Sequence, residues 1–145
     1  MEVATISTEE TQKLAEQIAS RLCPGDIVLL EGELGAGKTT FVRFLVQFLG
    51  FSNRVQSPTF VLARQYINNE PSAFIKVINH LDLYRLSSAQ ELEDLGLTEI
   101  FCQPDAITII EWPSIAKDLL PANVIEIKIE VLGETERKFY VQNLR

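Results

Sequence analysis

The chain has 145 residues, 46% of them apolar, and carries 13 basic and 20 acidic side chains for a formal net charge of −7. That length suits one domain spanning residues 1–145 with a core that needs no staples, and the apolar share excludes a disordered chain. The negative charge opposes direct coating of nucleic acid, so any work on nucleic acid is expected to run through a partner.

In chain order, the short β-branched stretch Met1 to Ile6 reads as a first strand. Ser7-Thr8-Glu9-Glu10 follows as a capping box, with Ser7 as N-cap and Glu10 three residues on. Leu14, Ala15, Ile18, Ala19 and Leu22 recur at helical spacing until Pro24-Gly25 ends the helix. Ile27 to Leu30 is a continuous apolar run, the pattern of a strand buried on both faces of a parallel sheet. A glycine-rich loop leads into a helix over Thr39 to Leu49, capped by Gly50. Phe60 to Asn68 and Phe74 to Leu83 read as strands joined by the turn Asn68-Asn69-Glu70-Pro71. Ser88 to Leu97 reads as a short helix, and Ala106 to Ile110 as another doubly buried strand ending at Glu111-Trp112-Pro113. Val124 to Leu132 and Lys138 to Leu144 form a hairpin about Gly133-Glu134-Thr135. The sum is an α/β, three-layer fold of the P-loop NTPase kind, its central sheet mainly parallel with antiparallel strands at the edges.

Cys23 and Cys102 form no CxxC pair, and His80 is the single histidine, so no zinc pattern arises. Both thiols are expected to be reduced and mostly buried. No basic-then-apolar leader and no bilayer-length apolar run is present, so the expected location is the cytoplasm, with no membrane partner.

The chemistry concentrates in Gly32-Glu33-Leu34-Gly35-Ala36-Gly37-Lys38-Thr39, a full match to G-x-x-x-x-G-K-[ST] between a buried strand and a helix. Several backbone N–H groups must approach phosphate oxygens, and Gly32, Gly35 and Gly37 remove obstructing Cβ atoms and permit unusual backbone angles. Lys38 supplies a point charge for the β- and γ-phosphates, the Thr39 hydroxyl suits Mg²⁺, and the helix N-terminus adds partial positive charge. The loop lacks the G-x-G-x-x-G spacing of a dinucleotide site. A metal-side acid is expected at the end of a neighbouring apolar strand. Glu111 fits that place, while Asp82 stands open between this role and a solvent-facing strand-end acid. His80 is read as a core or hydrogen-bonding group.

Four motifs in order resemble the TsaE (YjeE) family of bacterial P-loop ATPases needed to make threonylcarbamoyladenosine in tRNA. They are Glu33-Leu34-Gly35-Ala36-Gly37-Lys38-Thr39-Thr40, Ser57-Pro58-Thr59-Phe60, His80-Leu81-Asp82-Leu83-Tyr84-Arg85 and Glu111-Trp112-Pro113. The acidic segment Glu91 to Leu97 resembles the family's acidic helix. The resemblance covers roughly residues 1 to 130 and is weakest in the final hairpin. It implies that Glu33 through Thr40 bind ATP, with Lys38 on the β/γ-phosphates and Thr39 on Mg²⁺. It implies that Glu111 is the other metal-side acid and orients the attacking water. Asp82 would sit near the metal or the γ-phosphate, Thr59 in a switch-like segment, and Trp112 close to the site. Ser7 to Glu10, Glu10 included, would approach the base. Arg137, in the hairpin that departs from the pattern, is assigned no role. The implied partners are a glycoprotease-like tRNA-modification subunit and its paralogue, of the TsaD and TsaB type, with tRNA touched only indirectly.

Two other functions share such a loop. A small-molecule kinase would carry an arginine-bearing lid, and no arginine-rich lid stretch is present. A nucleotide-gated binding module would dispense with Glu111 and Asp82 as catalytic acids.

Overall fold

The computed structural model describes residues 1–59 and 61–145, with the Cys102 side chain outside the description. Seven strands form one sheet: β1 (Glu2–Thr5), β2 (Ile27–Gly32), β3 (Ala63–Ile67), β4 (Val77–Asp82), β5 (Ala106–Glu111), β6 (Ile125–Val131) and β7 (Arg137–Gln142). Their spatial order is β1-β7-β6-β2-β5-β4-β3. β6, β2, β5 and β4 run parallel, while β7, β1 and β3 are antiparallel additions at the two sides. The expected mainly parallel sheet with antiparallel edges is therefore present.

The apolar runs explain the layering. Val28, Leu30, Ile107 and Ile109 face α1 (Thr8–Ala19) and α2 (Lys38–Phe48), joining Leu14, Ile18, Phe41 and Leu45 in one core. Ile27, Leu29 and Ile110 face the other way, into a second core with Leu81, Leu92 of α3 (Ala89–Asp94) and Phe101. Two 3-10 helices, Leu97–Cys102 and Pro113–Leu119, complete that second layer. It stops short of the β6–β7 hairpin, whose outward positions are polar, with Lys128, Glu130 and Gln142 exposed.

Helix boundaries follow local chemistry. Ser7 caps α1 by accepting from Glu10 N–H at 3.2 Å, and the Glu10 carboxylate accepts from Ile6 N–H at 2.8 Å. α1 closes at Ala19, but tighter bonds from Arg21 N–H to Ile18 and from Leu22 N–H to Ala19 carry the chain on toward Pro24. Ser88 caps α3, which ends at Asp94 rather than Leu97 because Gly96 turns left-handed at φ 72°.

Three expectations need correction. The strand expected from Phe74 starts at Val77, because Phe74 lies exposed in a bend just after the turn at Pro71. Cys23 is exposed, because it lies in the turn after α1 and not on a core-facing element; the Cys102 thiol falls outside the description. The strand expected from Phe60 starts at Ala63. Phe60 itself is not described, while Val61 and Leu62 belong to a turn whose N–H groups donate to Pro58 O, with Leu62 at φ 68°.

Phe41 of α2 is fully buried, its ring centroid 5.3 Å from that of Phe139 on β7. Phe41→Ala should cost about 3–5 kcal/mol of stability in urea unfolding. A cost under about 1 kcal/mol would show that these rings do not carry core packing.

Candidate functional site

β2, β5 and β4 end side by side. Leu30 pairs with Glu111, and Glu111 pairs with Asp82. Parallel pairing therefore sets both carboxylates at one edge of the sheet, where the loop after β2 also begins. That edge is where open α/β sheets build sites.

The loop glycines serve two different needs. Gly35 and Gly37 hold left-handed φ values of 80° and 97°, and a Cβ on either would meet nothing within 4 Å. Backbone angle, not space, requires glycine there. Gly32 is the reverse case: a Cβ would fall 3.1 Å from Ala36 Cβ and 3.1 Å from Ile129 O. It lets the loop lie close against β6.

Lys38 opens α2 and is only 6% exposed. Its Nζ donates to Gly32 O and, at 3.0 Å, to Glu33 O. It also stands 4.3 Å from the Trp112 ring centroid, a cation–π distance. Burial pushes the ammonium below the ordinary lysine range, and the Glu111 and Asp82 carboxylates oppose that shift. Trp112 follows β5 in a left-handed conformation, φ 54°, and its ring meets Tyr84 at 4.9 Å between centroids.

Asp82 and Glu111 are each 2% exposed. Asp82 Oδ2 accepts from the Thr59 hydroxyl at 2.7 Å, and Oδ1 accepts from Tyr84 N–H at 2.9 Å. Ser57 Oγ lies 2.7 Å from Thr59 Oγ1, so the Ser57-Pro58-Thr59 segment is tied to Asp82 through its hydroxyls. Glu111 Oε2 lies 2.6 Å from Nε2 of His80, which is fully buried, and His80 Nδ1 lies 3.0 Å from the Tyr66 hydroxyl. Burial pushes the Tyr66 phenol up, so that hydroxyl keeps its proton.

A cleft of about 390 Å³ gathers Leu34, Gly35, Gly37, Lys38, Thr39, Thr40, Thr59, Asp82, Glu111 and Trp112, together with Ser57 and Tyr84. The other three expected residues lie apart. Glu33 contributes its carbonyl to Lys38, while the residue lines a neighbouring groove with Glu31 and Lys128. That groove is larger, about 590 Å³, but Gly35, Gly37, Lys38 and both buried acids line the smaller cleft. Ala36 lines a second recess with Ser7, Thr8, Thr11 and Arg137, which shares Gly37 and Thr40 with the main cleft. Glu10 faces neither; its carboxylate is engaged at the start of α1.

Arg137, given no role from sequence, braces the loop. Its Nε donates to Ala36 O at 3.0 Å and its Nη1 to Gly133 O at 2.8 Å. Loop and brace lie 101 residues apart in the chain, so no local pattern could announce the contact. Ser57 and Tyr84 lay in recognised motifs, yet nothing in their spacing separated them from their neighbours.

The donor set suits Mg²⁺: a hydroxyl from Thr39 and carboxylates from Asp82 and Glu111 are hard oxygen ligands. Among the described residues no cluster of three or more His, Cys, Asp or Glu side chains forms a cation cage by itself. A P-loop needs none, because the phosphates share the coordination.

A glycine loop between a parallel strand and a helix, with a buried lysine and facing acids, defines a P-loop nucleotide-binding protein. The comparisons with known proteins narrow this. The family model described as "Threonylcarbamoyl adenosine biosynthesis protein TsaE" matches residues 5–139, further into the final hairpin than the motifs reach. The chain is 45% identical over 130 residues to a tRNA threonylcarbamoyladenosine biosynthesis protein TsaE of Rickettsia felis, covering 89% of this chain and 72% of that protein. To the Bacillus subtilis protein of the same name it is 37% identical over 134 residues, 92% of this chain and 80% of that one. The crystal structure of Bacillus subtilis YdiB superposes with a TM-score of 0.74 at 31% identity, covering 96% of this chain and 82% of that one. This chain belongs to the TsaE family. Among the described residues, no helix is long and apolar enough to cross a membrane.

Lys38→Ala removes the buried ammonium and should abolish detectable ATP binding by calorimetry while the far-ultraviolet circular dichroism stays native. Equal affinity in both proteins would remove the phosphate site from this cleft. ATP affinity should also fall as pH rises, beginning below the ordinary lysine value of 10.5, because the buried ammonium loses its proton early. Phosphate charge raises that pKa, so binding in this range should take up a proton. An affinity constant through the alkaline range would contradict a direct Lys38–phosphate contact.

Proposed function

We propose that this chain is a Mg-dependent ATPase, one nucleotide-binding domain over residues 1–145, that serves the assembly making threonylcarbamoyladenosine in tRNA. The observation that carries the proposal is the convergence of Lys38, Thr39, Asp82 and Glu111 in one cleft at the ends of parallel strands. The names borne by the relatives supply the tRNA-modification setting.

Each residue has a task that its chemistry allows. The amides of the loop and of the first turn of α2 cradle the phosphates, and Lys38 exchanges the Gly32 and Glu33 carbonyls for β/γ-phosphate oxygens. Thr39 and the acids hold Mg²⁺, which when bound neutralises charge building on the transferred phosphoryl group. Glu111 orients the attacking water. Thr59, bonded to Asp82, is placed to register the γ-phosphate and pass that state to the 57–59 segment. The nucleoside end extends toward the recess of Ser7, Thr8 and Thr11, which takes over the role expected of Glu10.

Turnover by the chain alone is slow, since P-loop enzymes commonly await a group supplied by a partner. The partners are a glycoprotease-like subunit and its paralogue, of the TsaD and TsaB type, and tRNA is reached through them in the cytoplasm. The net charge of −7 agrees with that indirect contact.

Radiolabelled ATP separates hydrolysis from kinase chemistry: the label should appear as inorganic phosphate, with and without candidate acceptors. Label transferred to a small molecule would replace the hydrolase by a kinase. Glu111→Gln should slow single-turnover phosphate release by about 10²-fold or more while ATP still binds. Undiminished release would leave a nucleotide-gated binding module as the function.

A further inference from the structure

Behind the cleft, three neighbouring strands each contribute one side chain to a hydrogen-bonded line: Tyr66 from β3, His80 from β4 and Glu111 from β5. All three are almost wholly enclosed, at 3%, 0% and 2% exposure. We propose that Tyr66 and His80 are positioning residues for Glu111: the phenol hydroxyl donates to His80 Nδ1, and His80 Nε2–H donates to Glu111 Oε2. This fixes the carboxylate so that Oε1 is the oxygen left to work in the cleft. The inference rests on the hydrolase reading, in which Glu111 orients water.

Donor and acceptor bookkeeping carries it. An ionised carboxylate only accepts hydrogen bonds, so the 2.6 Å contact needs its proton on Nε2. A neutral imidazole that carries its proton on Nε2 has a lone pair on Nδ1, and a fully buried lone pair needs a donor. The Tyr66 hydroxyl stands 3.0 Å from Nδ1. Its alternative acceptor, Gln56 O, is at 3.4 Å, the longer and weaker contact. One phenolic proton serves one strong bond, and the geometry awards it to His80. The partner on one ring nitrogen then selects the tautomer that the other nitrogen presents.

The alternative is a carboxylate held by its backbone alone. A glutamate at a strand end has free side-chain torsions, and a water-orienting oxygen must be placed closely to be effective. The short His80 contact removes that freedom. Lys38 draws the carboxylate electrostatically from the cleft side but makes no hydrogen bond to it, donating instead to Gly32 O and Glu33 O. The anchor is therefore the imidazole.

His80 is the chain's single histidine, so its imidazole nitrogens can be read directly in a two-bond ¹⁵N–¹H correlation spectrum of the full chain. Wild-type protein at neutral pH should show the Nε2–H tautomer. Tyr66→Phe, which keeps the ring and deletes the hydroxyl, should leave Nδ1 without its donor and move the ¹⁵Nδ1 resonance, while the Glu111 contact keeps the proton on Nε2. It should slow single-turnover phosphate release by about 10- to 100-fold, the usual cost of losing an outer-shell partner, with ATP affinity by calorimetry unchanged. His80→Gln, whose amide can still donate to Glu111, should keep more turnover than His80→Ala. An Nδ1–H tautomer or a doubly protonated ring in the wild type would overturn the proposal. So would Tyr66→Phe with unaltered turnover, or with turnover and ATP affinity lost together. A wild type that binds ATP but never releases phosphate would overturn the hydrolase reading beneath it, and the tautomer signal, which needs no turnover, tells that failure apart.

Discussion

The site depends on strand register. β2 and β5 bury apolar residues on both faces, so a one-residue slip between them would exchange one buried face for another with little hydrophobic penalty. It would, however, carry Glu111 and Asp82 to the wrong side. The polar contacts at the strand ends specify what the apolar ones do not. His80 reaches Glu111 across the β4–β5 ladder, and Asp82 receives the Thr59 hydroxyl from the segment before β3. The His80 bond depends on the register that sets Asp82 opposite Glu111, while the Thr59 bond ties the segment before β3 to the end of β4. The polar groups that line the cleft thus also help lock the sheet that presents them.

Charge and strain concentrate at the same corner. One ammonium and two carboxylates are withdrawn from water within one cleft, an arrangement that buried ions tolerate only with hydrogen-bonded partners. Main-chain carbonyls serve Lys38, a hydroxyl and an amide serve Asp82, and an imidazole serves Glu111. Trp112 holds a left-handed backbone that costs a non-glycine residue about 1–3 kcal/mol. Contacts with Lys38 and Tyr84, and Pro113 opening the next helix, hold it there. A strained residue thus stands beside the buried lysine and both buried acids.

What the sequence made legible was local. Ile27 to Leu30 and Ala106 to Ile110 announced doubly buried parallel strands by their unbroken apolarity, and the glycine-lysine-threonine spacing announced the phosphate cradle. Ser7 marked a helix start by capping chemistry alone. Three-dimensional neighbours were harder to see. Glu10 was legible as a cap, and the cap is what its carboxylate serves. Val61 and Leu62 looked like strand because they are β-branched or apolar, while a positive φ at Leu62 turns the chain there. His80 was readable as a hydrogen-bonding residue, but its partners come from other strands. Arg137 had no signal, since its target is a main-chain oxygen, which any residue type could offer.

That arginine has a temporal consequence. The brace on the nucleotide loop arrives from the last strand, and β1 waits for the same strand, with the Met1 amine bonded to Val141 O across 140 residues of sequence. A nascent polypeptide emerging from the ribosome therefore carries its glycine loop long before it carries the loop's support. The first strand stays unpaired until β7 has been made. Closing so long a loop is entropically costly, and the late β7 hairpin meets that cost for the sheet edge and the nucleotide loop in one step.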